Sequence, residues 1–500
     1  MAALSIQVPY PVFYDRDGQP LDSGNIYIGE SNQDPVTNPL QVYYDEALTI
    51  TASQPLVTSG GYVYRNGTPT QLYVDANDFS ITVNDSKNLL VYNFPTATGL
   101  GVNAASIEYD PPFTGAVTSG YTVADKLSQT VSVKDFGAEG DGVTDDTVAI
   151  QTAFDNSSAL FFPAGTYVLT AKITATKATA FSFYGDGMGN TILFWDVADG
   201  GIDITASNIT NPITVDGLTF YTNRPDGGTA LKVTYPSTAS SPFVGARYSN
   251  LELRGSNFNT DYWTEGLRVI NHWNLQCTGL HIQGAEGVTR GMEKAISMTD
   301  CYDPIISSIY AIRGIYGIWV SDGEDEGMNV SECVFIDFET GIYFNSVTAQ
   351  AGTAISNNHI NAEKFGIDFQ AKQQCLISGN LIYKITGSTM PYVGIALKYC
   401  NDSRITANYV RNTGASGGEI GVLLDDTDNC IITGNQFTEF SGGSVGVQVA
   451  TASGGNYISN NSTYTAGTAI VNFAGVALKT NICFNNSPLP RGTLEVDSAT

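Results

Sequence analysis

The chain has 500 residues, with 52 glycines, 27 tyrosines and 23 phenylalanines, a usage that favours many short strands and turns over helices. Its 23 basic and 49 acidic residues give a formal net charge of −26, which argues against nucleic acid as a partner, because phosphate contacts need clustered Lys and Arg. Only 14% of residues are charged, so polar recognition falls to Asn, Ser, Thr and Tyr, which suits a carbohydrate. No apolar run approaches the length that a bilayer needs, so membrane insertion is not expected.

Residues 1–105 hold hairpin-like strands and no regular repeat. The start, MAALSIQVPYPVF, lacks a basic segment, so no signal peptide is expected. Further on come IYIG, DPVTNP, VYYDE, QPL, GGYVYRNG and NDFSITVNDSKNLLVY. In that order these blocks resemble the head-binding domain of P22-type phage tailspikes. The resemblance implies a small trimeric β-domain that docks a spike to the virion tail or baseplate. It implies a homotrimer, made in the bacterial cytoplasm and located on the virion. A generic carbohydrate-binding β-sandwich is the alternative.

Residues 106–130 read as a linker, from Pro111, Pro112 and the Gly, Ser and Thr content. Within it, TVADKLSQT suggests a short neck helix capped by Thr122. The chain then enters GAEGDGVTDDTVAIQTAFD, followed by FFPAGTY. Thr144 is the expected N-cap of a helix that plugs a coil through Ala153 and Phe154, with Asp145 and Asp146 in its first turn. Asp141, Asp145 and Asp146 therefore read as turn acids rather than as a site. This motif resembles the opening segment of the pectate-lyase-like β-helix superfamily, which includes polygalacturonase-type hydrolases and tailspike depolymerases.

Residues 131–486 carry a repeat of roughly 22–33 residues, the span of solenoid architectures. It reads VDGLTF, YSNLEL, CTGLHI, ISSIY, VSECVF, ISNNHI, ISGNLI, ITANYV, ITGNQF, ISNNST and ICFNNS. A second strand precedes each copy, as GLRV, AISM, GIWV, GIYF, GIDF, GIAL, GVLL and GVQV. Two short strands per repeat bury a face only when stacked, so the expected fold is all-β, a right-handed parallel β-helix. One slot runs Leu218, Leu251, Leu280, Ser308, Cys333, Asn358, Asn380, Asn408, Asn435, Asn461 and Asn485. Stacked asparagines satisfy one another along a coil, so that column is assigned to scaffold. The seven cysteines are an odd number without CxxC spacing. They read as reduced thiols, and neither a metal nor a cofactor is expected. Residues 487–500 form a short tail. P22-like spikes continue into a C-terminal trimer-forming domain; here the shaft and head hold a trimer by themselves, or such a piece has been removed.

A β-helix presents substrate to loops leaving successive corners. One corner stacks NHWN, TDCYDP and SDGEDEGMN, giving Asp300, Asp303, Asp322, Glu324 and Asp325 as candidate catalytic acids beside His272 and Trp273. The other corner supplies Glu265 and Glu293 as second candidates, with Tyr262, Trp263, Arg290 and Arg313 for binding. Trp319 is a further aromatic with access to the groove. Rungs about 4.8 Å apart bring carboxylates into the separations that glycoside hydrolysis requires. The expected activity is endo-glycosidic hydrolysis of a bacterial O-antigen or capsular polysaccharide. A lyase acting on a uronate polymer, with His272, Arg290 and Arg313 recruited, and a non-catalytic receptor-binding spike are the alternatives.

Overall fold

The computed structural model describes residues 10–76, 78–98, 122–237, 245–288, 290–321, 323, 325–413, 418–440, 443–450, 452–463, 469–473 and 481–488. The chain divides into two units, Met1–Gln129 and Thr130–Thr500.

In the first unit, six antiparallel strands pair in the order Thr68–Pro69, Tyr62–Arg65, Leu56–Ser59, Asn25–Gly29, Asp78–Asn84 and Leu90–Thr98. Alternation sends Ile26 and Ile28 inward, where they meet Phe13, Leu21, Val42, Leu56, Val63 and Val83. A short helix, α1 (Val123–Leu127), follows the linker. Thr122 caps it: its hydroxyl accepts from the Asp125 N–H, and the Asp125 carboxylate accepts from the Thr122 N–H. The remaining linker, residues 106–121, lies outside the described residues.

The second unit is a parallel β-solenoid of about 11 turns. Its helix, α2, spans Thr147–Asn156, with Asp146 rather than Thr144 at the cap position. The reason is a strand, Asp141–Asp145, which occupies the sequence before it. The Asp146 carboxylate turns back to accept from the N–H groups of Glu139 and Gly140. Asp141 accepts from Val143 and Thr144, and Asp145 from Thr147, so all three acids satisfy backbone donors. Ile150, Ala153 and Phe154 are buried. The Phe154 ring lies 5.2–6.4 Å from those of Phe162, Phe181 and Phe183.

Three sheets coil from there. Sheet A stacks Ile173–Lys177, Gly200–Ala206, Gly228–Thr234, Glu265–Ile270, Lys294–Thr299 and their successors to Ala469–Phe473. Sheet B includes Gln276–Thr278, Ile305–Ser307 and Asn329–Ser331, ending at Ile482–Phe484. Sheet C includes His281–Gln283, Leu381–Lys384 and Tyr409–Arg411. Every rung sends an apolar residue inward, as in the sheet A column Leu267, Ile296, Ile318, Ile342, Ile367, Ile395, Val422 and Val447. A single core runs through the unit. Six of the seven cysteines are buried and all seven are free thiols.

The B–C corner has two residues on each of these rungs. The first adopts positive φ: Gly217, Asn250, Gly279, Ser308, Glu332, Asn357, Gly379, Ala407, Gly434, Asn460 and Asn485 lie between 51° and 69°. Glycine and asparagine tolerate this conformation best. The second corner residue points inward and forms the ladder. Its column runs through Ile309, not Ser308, and ends at Asn486, not Asn485, because Cys483 pairs with Ile458 and shifts the last rung by one. The Asn358 oxygen accepts from the Cys333 N–H, and from Asn380 onward each side-chain oxygen accepts from the previous rung's corner N–H and from its side-chain amide. Asn380 donates twice to Asn408 at 3.0 and 2.9 Å, and Asn408 donates twice to Asn435 at 3.0 Å. Replacing Asn408 by Ala orphans the Asn380 N–H in a buried site, at a cost of about 1–3 kcal/mol for the unsatisfied group. Chemical denaturation should register that loss, and Asn408→Ala at wild-type stability would remove the ladder from the scaffold.

Candidate polysaccharide-binding face

The C–A corner differs from rung to rung, and this shapes sheet A. Tyr310–Ser321, Val334–Ala351 and His359–Gln373 run unbroken from sheet C into sheet A. Longer connections, 284–293 and 385–392, precede and follow these three rungs. Arg290 ties the second and third of them together. Its guanidinium donates to the Asp337 carbonyl at 2.6 Å, to the Asp337 carboxylate at 2.9 Å and to Glu363 at 2.8 Å. Ser388 reaches the other Glu363 oxygen at 3.1 Å. Arg290 is thus spent as a clamp across the tight corners.

Beside these corners, the outward slots of sheet A carry an aromatic and charged surface. The third residue of each sheet A tetrapeptide points out, giving one row: Asp203, Lys232, Arg268, Ser297, Trp319, Tyr343 and Asp368. The parallel row holds Glu265, Lys294, Tyr316, Thr340 and Phe365. Trp319, Tyr343, Tyr316 and Phe365 are half-buried. The rings of Tyr316 and Tyr343 lie 5.3 Å apart, and the Lys294 ammonium sits 4.2 Å from the Trp319 ring centre.

The electrostatics converge on the same place. Lys294 pairs with Glu265 at 2.9 Å and Glu293 at 3.2 Å. Burial works against its charge, but those two carboxylates outweigh it and its pKa is raised. The Tyr316 phenol is raised by burial and then by the nearby charges of Glu339, Asp368 and Glu293. Asp368 is pushed up to about 6 by burial, against the opposing pull of Lys398 and a hydrogen bond with Gln370. Burial thus makes this carboxyl easier to protonate than an exposed aspartate, as suits a general acid.

The sequence-predicted residues fall into three groups. Glu265 and Glu293 meet at Lys294 on this face. Others belong to the interior. Trp263 is 1% exposed, its indole N–H donates to the Phe220 carbonyl at 3.1 Å and its ring packs edge-on against Trp195. It is a core residue, not a sugar platform. His272 is fully buried beside Tyr235, and burial lowers its pKa to about 4. Neutral and enclosed, it reaches no substrate. Asp325 is also buried. It accepts from the Cys301 N–H at 2.6 Å, the Lys372 ammonium donates to its carbonyl, and burial pushes its carboxyl up to about 7. Its placement makes it part of the interior column and not a surface acid.

The third group lies at the corners on either side of sheet A, outside its aromatic rows. Asp300 and Asp303 occupy positive-φ turn positions at 53° and 51°, which accounts for the residue type without invoking chemistry. Their neighbours Trp273 and Tyr302 stack at 4.0 Å. Tyr262 lies against Gly291, where a Cβ would come within 2.7 Å of its ring. Arg313 pairs with Glu286 at 3.5 Å. Asp322 and Glu324 lie outside the described residues. Lys294, Tyr316, Tyr343 and Asp368 escaped the sequence reading, although strand alternation marks an aspartate at an outward slot of GIDF as exposed.

Known proteins resemble parts of this chain. Residues 130–368 match a family described as rhamnogalacturonase A/epimerase, pectate lyase-like, and residues 294–463 match the right-handed beta helix region family. The tail spike protein of Shigella phage Sf6 is 28% identical over 272 residues, which is 48% of this chain and 39% of the relative. The preneck appendage protein of Bacillus phage PZA is 31% identical over 223 residues, 37% of this chain and 24% of that one. The chain thus spans well under half the length of these curated relatives. Among solved structures, tailspike protein 3 of bacteriophage CBA120 superposes with a TM-score of 0.51 at 14% identity, covering 88% of this chain and 74% of that one. The N-terminal fragment of phage phi29 gene product 12 gives 0.52 at 14% identity, covering 76% and 75%. These likenesses are of fold. Together the comparisons define a chain with phage tailspike-like homologues and a pectate-lyase-like β-helix.

The two tryptophans separate scaffold from surface. Trp263→Ala should cost about 3–5 kcal/mol of stability, as for large aromatics removed from a core. Trp319→Ala should leave thermal stability within a degree or two while weakening saccharide retention. Equal stability losses in the two variants would dissolve the distinction.

Proposed function

We propose that this chain is a phage tailspike that binds and depolymerises a bacterial surface polysaccharide, O-antigen or capsule, by endo-glycosidic hydrolysis on the outer face of sheet A. The observation that carries this reading is the row Trp319, Tyr343, Asp368: two sugar-sized ring surfaces leading to a carboxyl held near 6. Aromatic faces bury the apolar side of a pyranose while polar neighbours take its hydroxyls. Asp368 protonates the leaving oxygen. Glu339, paired with Lys364 at 2.7 Å and close enough to Tyr316 to raise its phenol, supplies the opposing carboxylate. A lyase would need a basic group to remove a proton. Tyr316 and Lys294 are instead raised, and His272 is enclosed, which supports hydrolysis over elimination.

Asp368→Asn should lower the release of reducing ends by at least 100-fold, in the range of a lost general acid, with polysaccharide retention unchanged. Because the acid must be protonated, wild-type activity should fall as pH rises through about 6, and that limb should vanish in the variant. Products with an unsaturated, ultraviolet-absorbing end would replace the hydrolase with a lyase. If Asp368→Asn stays active while Asp300→Asn or Asp303→Asn does not, the A–B corner is the site.

The first unit docks the spike to the virion tail or baseplate, on the strength of its P22-type sequence blocks. The working particle is a homotrimer. Support comes from the P22-type resemblance of the first unit, and exposed apolar side chains, Ile305 and Tyr310, Leu376 and Leu381, and Tyr457 and Ile482, also flank the B–C corner on separate rungs. Light scattering should give three times the chain mass, and a mass of one chain overturns the trimer.

A further inference from the structure

A second recess lies on the same face, at the N-terminal end of the coil. Its wall is α2. The Gln151 amide donates to the Thr174 carbonyl at 2.7 Å and accepts from the Thr174 N–H at 3.0 Å, which fixes the helix against the first strand of sheet A. Asp155, one turn along α2, accepts from the same amide at 3.0 Å. The floor is built from outward side chains of three successive strands, Thr174, Asp203 with Thr205, and Lys232. They line an open recess of about 840 Å³, roomy enough for sugar units.

The floor is continuous with the aromatic face. Thr174, Asp203, Lys232, Arg268, Ser297 and Trp319 are register partners down one row. From Asp203 to Trp319 is four rung steps, about 19 Å at the usual strand spacing. A linear polymer seated on Trp319 and following the row therefore arrives at the recess.

The lining defines the chemistry. Threonine hydroxyls and carboxylates offer donors and acceptors to sugar hydroxyls, and no aromatic ring lines the recess among the described residues. Lys232, the one cation among its described lining residues, is already paired with Asp203 at 2.8 Å. Asp155 then leaves an excess of negative charge, which disfavours uronate or phosphorylated sugars.

We propose that this recess is a remote subsite that holds neutral sugar units of the polysaccharide engaged at Trp319, so that long chains are gripped at two places on one face. The proposal rests on the reading of sheet A as the polysaccharide face. It is tested with full-length protein on a panel of purified, arrayed O-antigens and capsular polysaccharides, using the neutral one that wild type retains best. Thr205→Arg fills the recess from an exposed position, and Asp155→Ala removes an acceptor from the opposite wall without adding bulk. Both should weaken retention of the polymer at least fivefold. Both should leave fragments of that polymer too short to span about 19 Å bound as in wild type. Trp319→Ala, in contrast, should weaken both. Wild-type retention of the polymer by Thr205→Arg and Asp155→Ala overturns the subsite, as does an equal loss on short fragments, or failure of wild type to retain any neutral polysaccharide. If Trp319→Ala binds normally while the recess variants do not, the aromatic face fails and the recess stands alone.

Discussion

Everything in the shaft depends on how a parallel coil closes its buried corner. Each rung turns from sheet B to sheet C in two residues, and the second carries a buried N–H with no strand partner at that point. From Cys333 onward an amide side chain from the next rung accepts that hydrogen, as in the steps to Asn358, to Asn380 and finally to Asn486. Because an unmet buried donor is costly, the turn cannot slip by one residue. Register follows, and register is what aligns outward side chains into rows. On the rungs that carry Trp319, Tyr343 and Asp368, the alignment of the sheet A row is therefore supported by a hydrogen-bond requirement on another edge of the coil.

That requirement was legible from the amino acids alone. The spaced asparagines, the glycine before each second strand and the apolar pairs around them define the rungs, since all three are demands of backbone geometry. Two positions of the column differ, at Ser308 and Asn485. At 485–486 two asparagines are adjacent, and at 308–309 neither residue is an asparagine, so strand pairing decides which one points inward. The cap of α2 was misplaced for a related reason, because a run of Thr and Asp supplies several equivalent capping groups.

The binding face was harder to see. Loop acids such as Asp300 and Asp303 stand out in a sequence, yet their positive φ explains them as turn formers. Trp263 reads as a loop aromatic because a polar stretch precedes it, and only the path of the chain shows the ring folding under Trp195. Asp368 is the reverse case. Sitting in a short apolar strand, it looks unremarkable until its rung is stacked beneath Tyr343 and its carboxyl loses water. The charge balance is local in the same way: the chain is strongly acidic, yet Lys232, Arg268, Lys294 and Lys398 all stand on sheet A.

The corners also differ in what they permit. The B–C turn keeps two residues from Gly217–Leu218 to Asn485–Asn486, and an inserted residue there would leave an amide unmatched. The C–A turn already varies from an uninterrupted strand to connections of several residues, with Arg290 reaching over two rungs to fasten one of them. Insertions are therefore absorbed along one edge of the solenoid and rejected along another. Diversification of such a shaft has a built-in direction: recognition surfaces drift at the edge beside the aromatic row, while the opposite edge keeps the thread count of the screw.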